Sequence, residues 1–250
     1  MQALTLTFSQ DVATILIDNP AKRNALAIAD LAAMSAMLDQ AAARPGLRAL
    51  VLAASGDRVF SGGVDLSDVS GDGAWDENPL TALADKLESF PRPTVARISG
   101  KVRGGAAELT LACDFRVGAR GVDLAVPAAR IGIHYEAEGL ARAAARLGLQ
   151  AAKRIYLLAE TMDEAALVAC GYFDRLAEPA ALEEALAALL ADIRAGAPLA
   201  VDGMKATLAE IGAGRAPEAA ARIAACWRSD DLREGLAAVR EKRPPVFRGR

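Results

Sequence analysis

Residues 100–114 read GKVRGGAAELTLACD. Two adjacent glycines, Gly104 and Gly105, open an apolar run that holds one carboxylate, Glu108, among Ala106, Ala107, Leu109, Leu111 and Ala112. A carboxylate in such company needs a partner or a task. If the glycines mark a helix start, the first N–H groups lack internal acceptors and carry partial positive charge, which makes an anion site. Glycine there lets a ligand approach the backbone, and Glu108 falls about one turn along on the same face. The competing reading is a helix-start device, a first-turn glutamate that stabilises the helix dipole by a few tenths of a kcal/mol. This stretch alone leaves the two readings even.

Outward from it, RPTVARISG (92–100) reads as a strand launched by a proline where no ladder donor is needed. DFRVGA (114–119) and VDLAVP (122–127) are strands, and EGLARAAARLG (138–148) is a helix. Upstream, the alternation of Leu4, Leu6 and Phe8, then Val12, Thr14 and Leu16, predicts a hairpin around Gln10-Asp11. Leu31, Met34 and Leu38 have helical spacing, ended by Pro45-Gly46. LRALVLAAS (47–55) is a buried strand, and residues 79–90 are another helix. Strands alternating with helices give the α/β class with crossover connections. After about residue 180 only helices follow, three of them. The expected division is a β/α body over 1–190 and a helical tail over 191–250, whose apolar stripes predict oligomerisation.

The chain has 250 residues, 29 Lys+Arg against 32 Asp+Glu, and a net charge of -3, which argues against a nucleic-acid binder. Cys113, Cys170 and Cys226 lie far apart and read as buried thiols in a reducing compartment, with no metal framework. No basic and apolar leader opens the chain, and no run reaches the roughly 20 apolar residues of a membrane helix. A cytoplasmic protein that meets no membrane is the expectation.

A second glycine turn, VFSGGVDL (59–66), puts Gly62-Gly63 between a strand and a helix. Two such turns supply one N–H apiece to a single carbonyl oxygen when they converge. VFSGGVDL, PTVARISGKVRGGAAELTLACDFRV (93–117), SDDLREGLAAVREKRPPVFRGR (229–250) and NPAKRNALA (19–27) resemble, in order, the signature stretches of the enoyl-CoA hydratase/isomerase (crotonase) superfamily. The resemblance implies a spiral of β-β-α repeats, a C-terminal helical trimerisation region, and a trimer or dimer of trimers. It implies an acyl-CoA thioester as substrate, with coenzyme A entering as part of it and no permanently bound cofactor. It places the thioester oxygen between the N–H groups of Val64 and Gly105. It assigns CoA contacts to Lys22, Arg23, Ala25 and Leu26, and the pantetheine side to Ser61, Gly62, Asp65 and Leu66. Lys242 resembles a phosphate contact supplied by a neighbouring subunit.

Glu108 matches the first of the two glutamates of typical hydratases, but Ala128 stands at the second position and cannot hold a water or give a proton. Glu136, eight residues on, resembles the second carboxylate of dienoyl-CoA isomerases. An acid/base pair of Glu108 and Glu136 in a dry pocket follows, with a double-bond shift favoured over hydration and decarboxylation as a third chemistry. Glu138 reads as a helix-start charge, Tyr135 as packing, and residues 67–79 with Trp75 as a flap over the pocket. Two readings of other classes stay open: a shell that binds acyl-CoA without turnover, and a serine hydrolase built on Ser61 and His134.

Overall fold

Three consecutive β-β-α repeats each send their first strand into one sheet and their second into another, so the chain winds as a spiral. The computed structural model describes residues 3–65, 67 and 78–250. The hairpin β1 (Leu4–Ser9) and β2 (Val12–Ile17) is antiparallel, with Leu4 opposite Ile17, and it starts the larger sheet. β3 (Ala49–Ala54), β5 (Thr94–Ile98), β7 (Phe115–Ala119) and β9 (Arg175–Ala177) add to it in parallel, giving the order β1-β2-β3-β5-β7-β9. The second strands, β4 (Val59–Ser61), β6 (Lys101–Arg103) and β8 (Leu124–Ala125), pair in parallel as a three-stranded sheet.

Burial explains the sequence of each strand. β3 is apolar and buried at every position because both of its faces are covered, as parallel strands require. α1 (Ile28–Ala42) buries Leu31, Met34, Leu38 and Ala41, one stripe at helical spacing. α2 (Pro79–Glu88) starts at Asn78, whose side chain accepts from Leu80 N–H, and buries Leu80, Leu83 and Leu87. α3 (Gly105–Ala112) is buried along its whole length, the central helix of the fold. The stretch 122–127 forms only the two-residue β8, because Pro127 leads into a 3-10 turn over Ala128–Ile131.

α4 (Ala137–Leu147) and α5 (Leu149–Leu157) meet at Gly148, whose φ of 81° turns the chain between them. α6 (Glu164–Ala169) leads to β9. Residue 190 falls inside α7 (Leu182–Ala195), which buries Leu186, Leu189, Leu190 and Ile193. The helical tail has three further helices where two were expected. α9 (Ala220–Arg228) and α10 (Asp230–Glu241) are separated by Ser229, whose hydroxyl accepts from Leu232 N–H and restarts the helix. α8 (Pro198–Gly212) is tied to the body by Lys205, which donates to Asp114 (2.6 Å) and to Arg92 O (2.8 Å). α8 and α9 bury no residue completely, and Met204, Leu208, Trp227 and Val239 of the tail are exposed.

The thiol expectation holds only for Cys113; Cys170 and Cys226 are partly exposed, and all three are free. Among the described residues no helix is long and apolar enough to cross a membrane.

One position tests the packing of β7 against the segment that leads into β9. A Cβ added at Gly118 in β7 would overlap the Phe173 ring. Gly118→Ala should therefore destabilise the fold by about 1–3 kcal/mol, read as a fall of several degrees in the thermal midpoint.

Candidate active site

The ends of β4 and β6 lie side by side in the small sheet, and each runs straight into a glycine turn. In the first turn, Leu26 N donates to Gly63 O and Asp65 N donates to Leu26 O, both at 2.8 Å, forming an isolated parallel bridge between Leu26 and Val64. That pattern uses the backbone groups on either side of Val64, and its own N–H has no acceptor among the described residues. In the second turn, Gly104 N is taken by Ala125 O (2.9 Å), and Gly105 is the first residue of α3, with no acceptor for its N–H among the described residues.

The two turns touch. Gly63 has φ +85°, and a Cβ there would lie 2.7 Å from Arg103 O and 2.8 Å from Gly105 N. Only glycine permits that backbone and that approach together. A Cβ at Gly105 would meet Leu80 Cδ2 at 2.7 Å and Val64 Cγ2 at 3.3 Å. The expected neighbours Val64 and Gly105 are thus side by side.

Asn24 holds the first turn in place, a role the residues alone did not reveal. Buried and left-handed (φ 53°), it accepts from Asn19 N and donates to Ser55 O and Val59 O. Ser61 works with it: its hydroxyl donates to Asn24 O (2.7 Å) and accepts from Gly63 N (3.1 Å). Ser61 is wholly buried, so the serine-hydrolase reading is corrected. A nucleophile must reach substrate, whereas this hydroxyl fixes a turn, and His134 lies exposed with Nδ1 against Tyr135 O.

Glu108 is 1 % exposed and does not stand alone. Arg142 of α4, also buried, donates from Nη1 to its Oε1 at 3.1 Å. The same guanidinium pairs with Asp85 and Glu88 of α2, so three carboxylates from two helices share one cation. Burial pushes the Glu108 carboxyl above its ordinary range, and Arg142 and the Thr81 hydroxyl pull it partly back. α4 crosses at Gly139 because the carboxylate sits there: a Cβ would come within 2.9 Å of Glu108 Oε1.

Glu136 differs from the expectation of a dry pocket. It is the N-cap of α4, exposed among the described residues, with Asn78 Nδ2 at 3.5 Å from its Oε1. The physical reason is its place on the loop side of the helix start, outside the packed interior that encloses Glu108. Glu138 occupies the first turn of α4 as read from sequence, also exposed.

Of the expected CoA contacts, Lys22 and Arg23 are exposed, and Ala25 and Gly62 are half-buried. Leu26 and Ser61 are buried completely and reach a ligand only through the backbone. The Asp65 carboxyl is held low by hydrogen bonds from the hydroxyl and amide of Ser67. Leu66, Trp75 and most of the expected flap lie outside the described residues. Lys242 ends α10 in a left-handed conformation (φ 55°), on the tail.

The raised Glu108 carboxyl makes a stability prediction. A carboxyl lifted on folding contributes stability below its unfolded value near 4.5, and that contribution is lost as pH rises through the folded value. In Glu108→Gln, Arg142 keeps Asp85 and Glu88. The difference in thermal midpoint should therefore shift in favour of the variant between pH 4.5 and pH 8; a difference independent of pH contradicts the assignment.

The chain matches the enoyl-CoA hydratase/isomerase family over residues 7–250. A Bacillus subtilis protein named probable enoyl-CoA hydratase is 31 % identical over a 261-residue alignment that covers all of both chains. The methylmalonyl-CoA decarboxylase of Escherichia coli is 29 % identical over 217 residues, 82 % of this chain and 83 % of the relative. The solved structure of an enoyl-CoA hydratase/carnithine racemase from Magnetospirillum magneticum superposes on all of this chain and 97 % of its own, with a TM-score of 0.88 at 28 % identity. The chain that carries these two touching glycine turns and the buried carboxylate thus belongs, by sequence and by fold, to the enoyl-CoA hydratase/isomerase (crotonase) superfamily, enzymes that act on acyl-CoA.

Proposed function

We propose that this enzyme moves a proton on an acyl-CoA thioester through an enolate held by two backbone amides, shifting a double bond. The single observation that carries the reading is the contact of the Val64 and Gly105 turns next to the buried Glu108. The Val64 and Gly105 N–H groups receive the thioester oxygen; Glu108 removes the proton from carbon 2, and the electron pair delocalises onto that oxygen and the adjacent double bond. Reprotonation at carbon 4 completes the shift: Glu136 on the loop side gives that proton and is reprotonated from solvent, and Glu108 releases the proton it took to solvent once product leaves. A carboxyl raised by burial is a stronger base for this step than one in water. Ala128 leaves the usual hydration acid missing, which puts isomerisation ahead of hydration.

Coenzyme A enters as part of the substrate, along Lys22, Arg23, Ala25, Gly62 and Asp65. Lys242 contributes from a neighbouring copy. The tail supports a trimer or dimer of trimers: α8, α9 and α10 enclose an apolar groove of about 970 Å³, lined by Met204, Leu208, Ile223, Trp227 and Val239.

Decarboxylation is the second reading, favoured by Glu108 being the one buried carboxylate among the described residues of the site, and by the decarboxylase among the relatives. There the bond from carbon 2 to a carboxylate breaks, carbon dioxide leaves, and the same enolate takes a proton.

The test is a panel of 3-enoyl-, 2-enoyl- and malonyl-type CoA esters in heavy-oxygen water. Relocation of hydrogen without oxygen uptake is expected; oxygen uptake supports hydration, and release of carbon dioxide supports the second reading. Val64→Pro deletes one amide donor while sparing the Leu26 bridge, and kcat should fall about 10²–10³-fold. Full activity in both Val64→Pro and Glu108→Ala contradicts the proposal.

A further inference from the structure

Each β-β-α repeat crosses from the large sheet to the small one through a turn, and the three turns gather at one end of the small sheet. Residues 55–58 precede β4, 99–100 precede β6, and 120–122 precede β8. The small-sheet strands are parallel, so these entering turns lie at the opposite end from Val64 and Gly105, which follow β4 and β6. Phe60, Val102 and Leu124, one fully buried residue from each strand, stand between the two ends.

The entering turns and residues 20–23 enclose a cavity of about 810 Å³, within the size range of small-molecule sites. Four cations line it, Arg23, Arg58, Lys101 and Arg120, against one carboxylate, Asp57. In a chain of net charge -3 that is a marked concentration of positive charge. Neighbouring carboxylates answer only part of it. Lys101 Nζ stands 3.7 Å from Asp123, and Arg120 is shared by Glu164 and Glu178. Arg23 and Arg58 have no carboxylate partner among the described residues.

The wall that carries two of these cations is tightly built. A Cβ at Gly100 would lie 2.5 Å from Arg58 C, so the first two turns touch through their backbones. The Ser99 hydroxyl donates to Gly56 O (2.7 Å), and Lys101 N donates to Arg58 O (3.1 Å). Arg58 and Lys101 are thereby held at adjacent strand starts, where like charges repel. Gly56 and Asp57, on the same wall, leave their N–H groups without an acceptor among the described residues.

We propose that this cavity binds a phosphate-bearing small molecule through Arg58, Lys101 and Arg120, at a site separate from that of the acyl-CoA. A phosphate group matches the donors, since its several oxygens accept at once from guanidinium forks, an ammonium and main-chain N–H groups. Arg23 is the one lining cation that the CoA route shares. The inference does not depend on which reaction the enzyme performs.

Calorimetry of the intact protein with inorganic pyrophosphate and with ADP tests it, at about 0.15 M salt so that unspecific attraction is screened. Arg58→Gln removes a side chain that bonds nothing among the described residues, and it should weaken pyrophosphate binding roughly tenfold. Lys101→Gln should weaken it by a similar factor. Without ligand, the thermal midpoint of Arg58→Gln should equal or exceed that of the wild type, because a like-charge contact is relieved. Saturating desulfo-CoA should leave pyrophosphate binding in place. Four results overturn the proposal: no binding of either probe, affinity unchanged in both variants, a lowered midpoint that makes Arg58 structural, or loss of binding under desulfo-CoA, which puts the phosphate on the CoA route. If desulfo-CoA itself fails to bind, the acyl-CoA reading falls while the two variants still decide this site.

Discussion

The pairing of Glu108 with Arg142 in the interior is the constraint around which the other parts of the site are arranged. A carboxylate 1 % exposed persists as an ion only with a counter-charge close by. Arg142 supplies it, and because it also holds Asp85 and Glu88, the pair locks α3, α2 and α4 together. Gly139 is the consequence on the α4 side, since any side chain there would press on the carboxylate. The same interaction sets the chemistry. Burial lifts the Glu108 carboxyl towards a useful base, and the guanidinium limits how far.

The second element is a pair of turns that needs glycine for two separate reasons. Gly63 needs a positive φ, and it also needs the absence of a Cβ so that Gly105 N can come close. Their convergence follows from the spiral: because β4 and β6 are neighbours in the small sheet, their exits are neighbours too. Asn24 and Ser61 then hold the first exit by hydrogen bonds to main-chain atoms, which is why both are buried although polar. Catalytic geometry of this kind depends on main-chain groups fixed by the surrounding structure, and side chains contribute mainly by holding them.

Much of this was legible from the residues, for physical reasons. Strands such as 49–54 and 94–98 announce themselves through apolar runs bounded by Gly, Pro and Ser, and the α1 stripe through its spacing. The glycine pairs at 62–63 and 104–105 mark the two turns, and Glu108 is conspicuous by its apolar company. What stayed hidden depends on distance in space. Arg142 lies 34 residues from Glu108 and reads as one more charge on an amphipathic helix. Asn24 reads as a loop residue until its three main-chain partners are seen. The exposure of Glu136 was equally invisible: its spacing from Ala128 does not say on which side of the helix start it falls.

In the proposed reaction, two main-chain donors grip one thioester oxygen beside an enclosed carboxylate. Isotope-edited infrared spectroscopy of a carbonyl-labelled acyl-CoA bound to the protein measures that grip without requiring turnover. The bound carbonyl stretch should move to lower frequency than in water, as polarisation by two donors demands. A stretch at its solution frequency, in an ester shown to be bound, contradicts it.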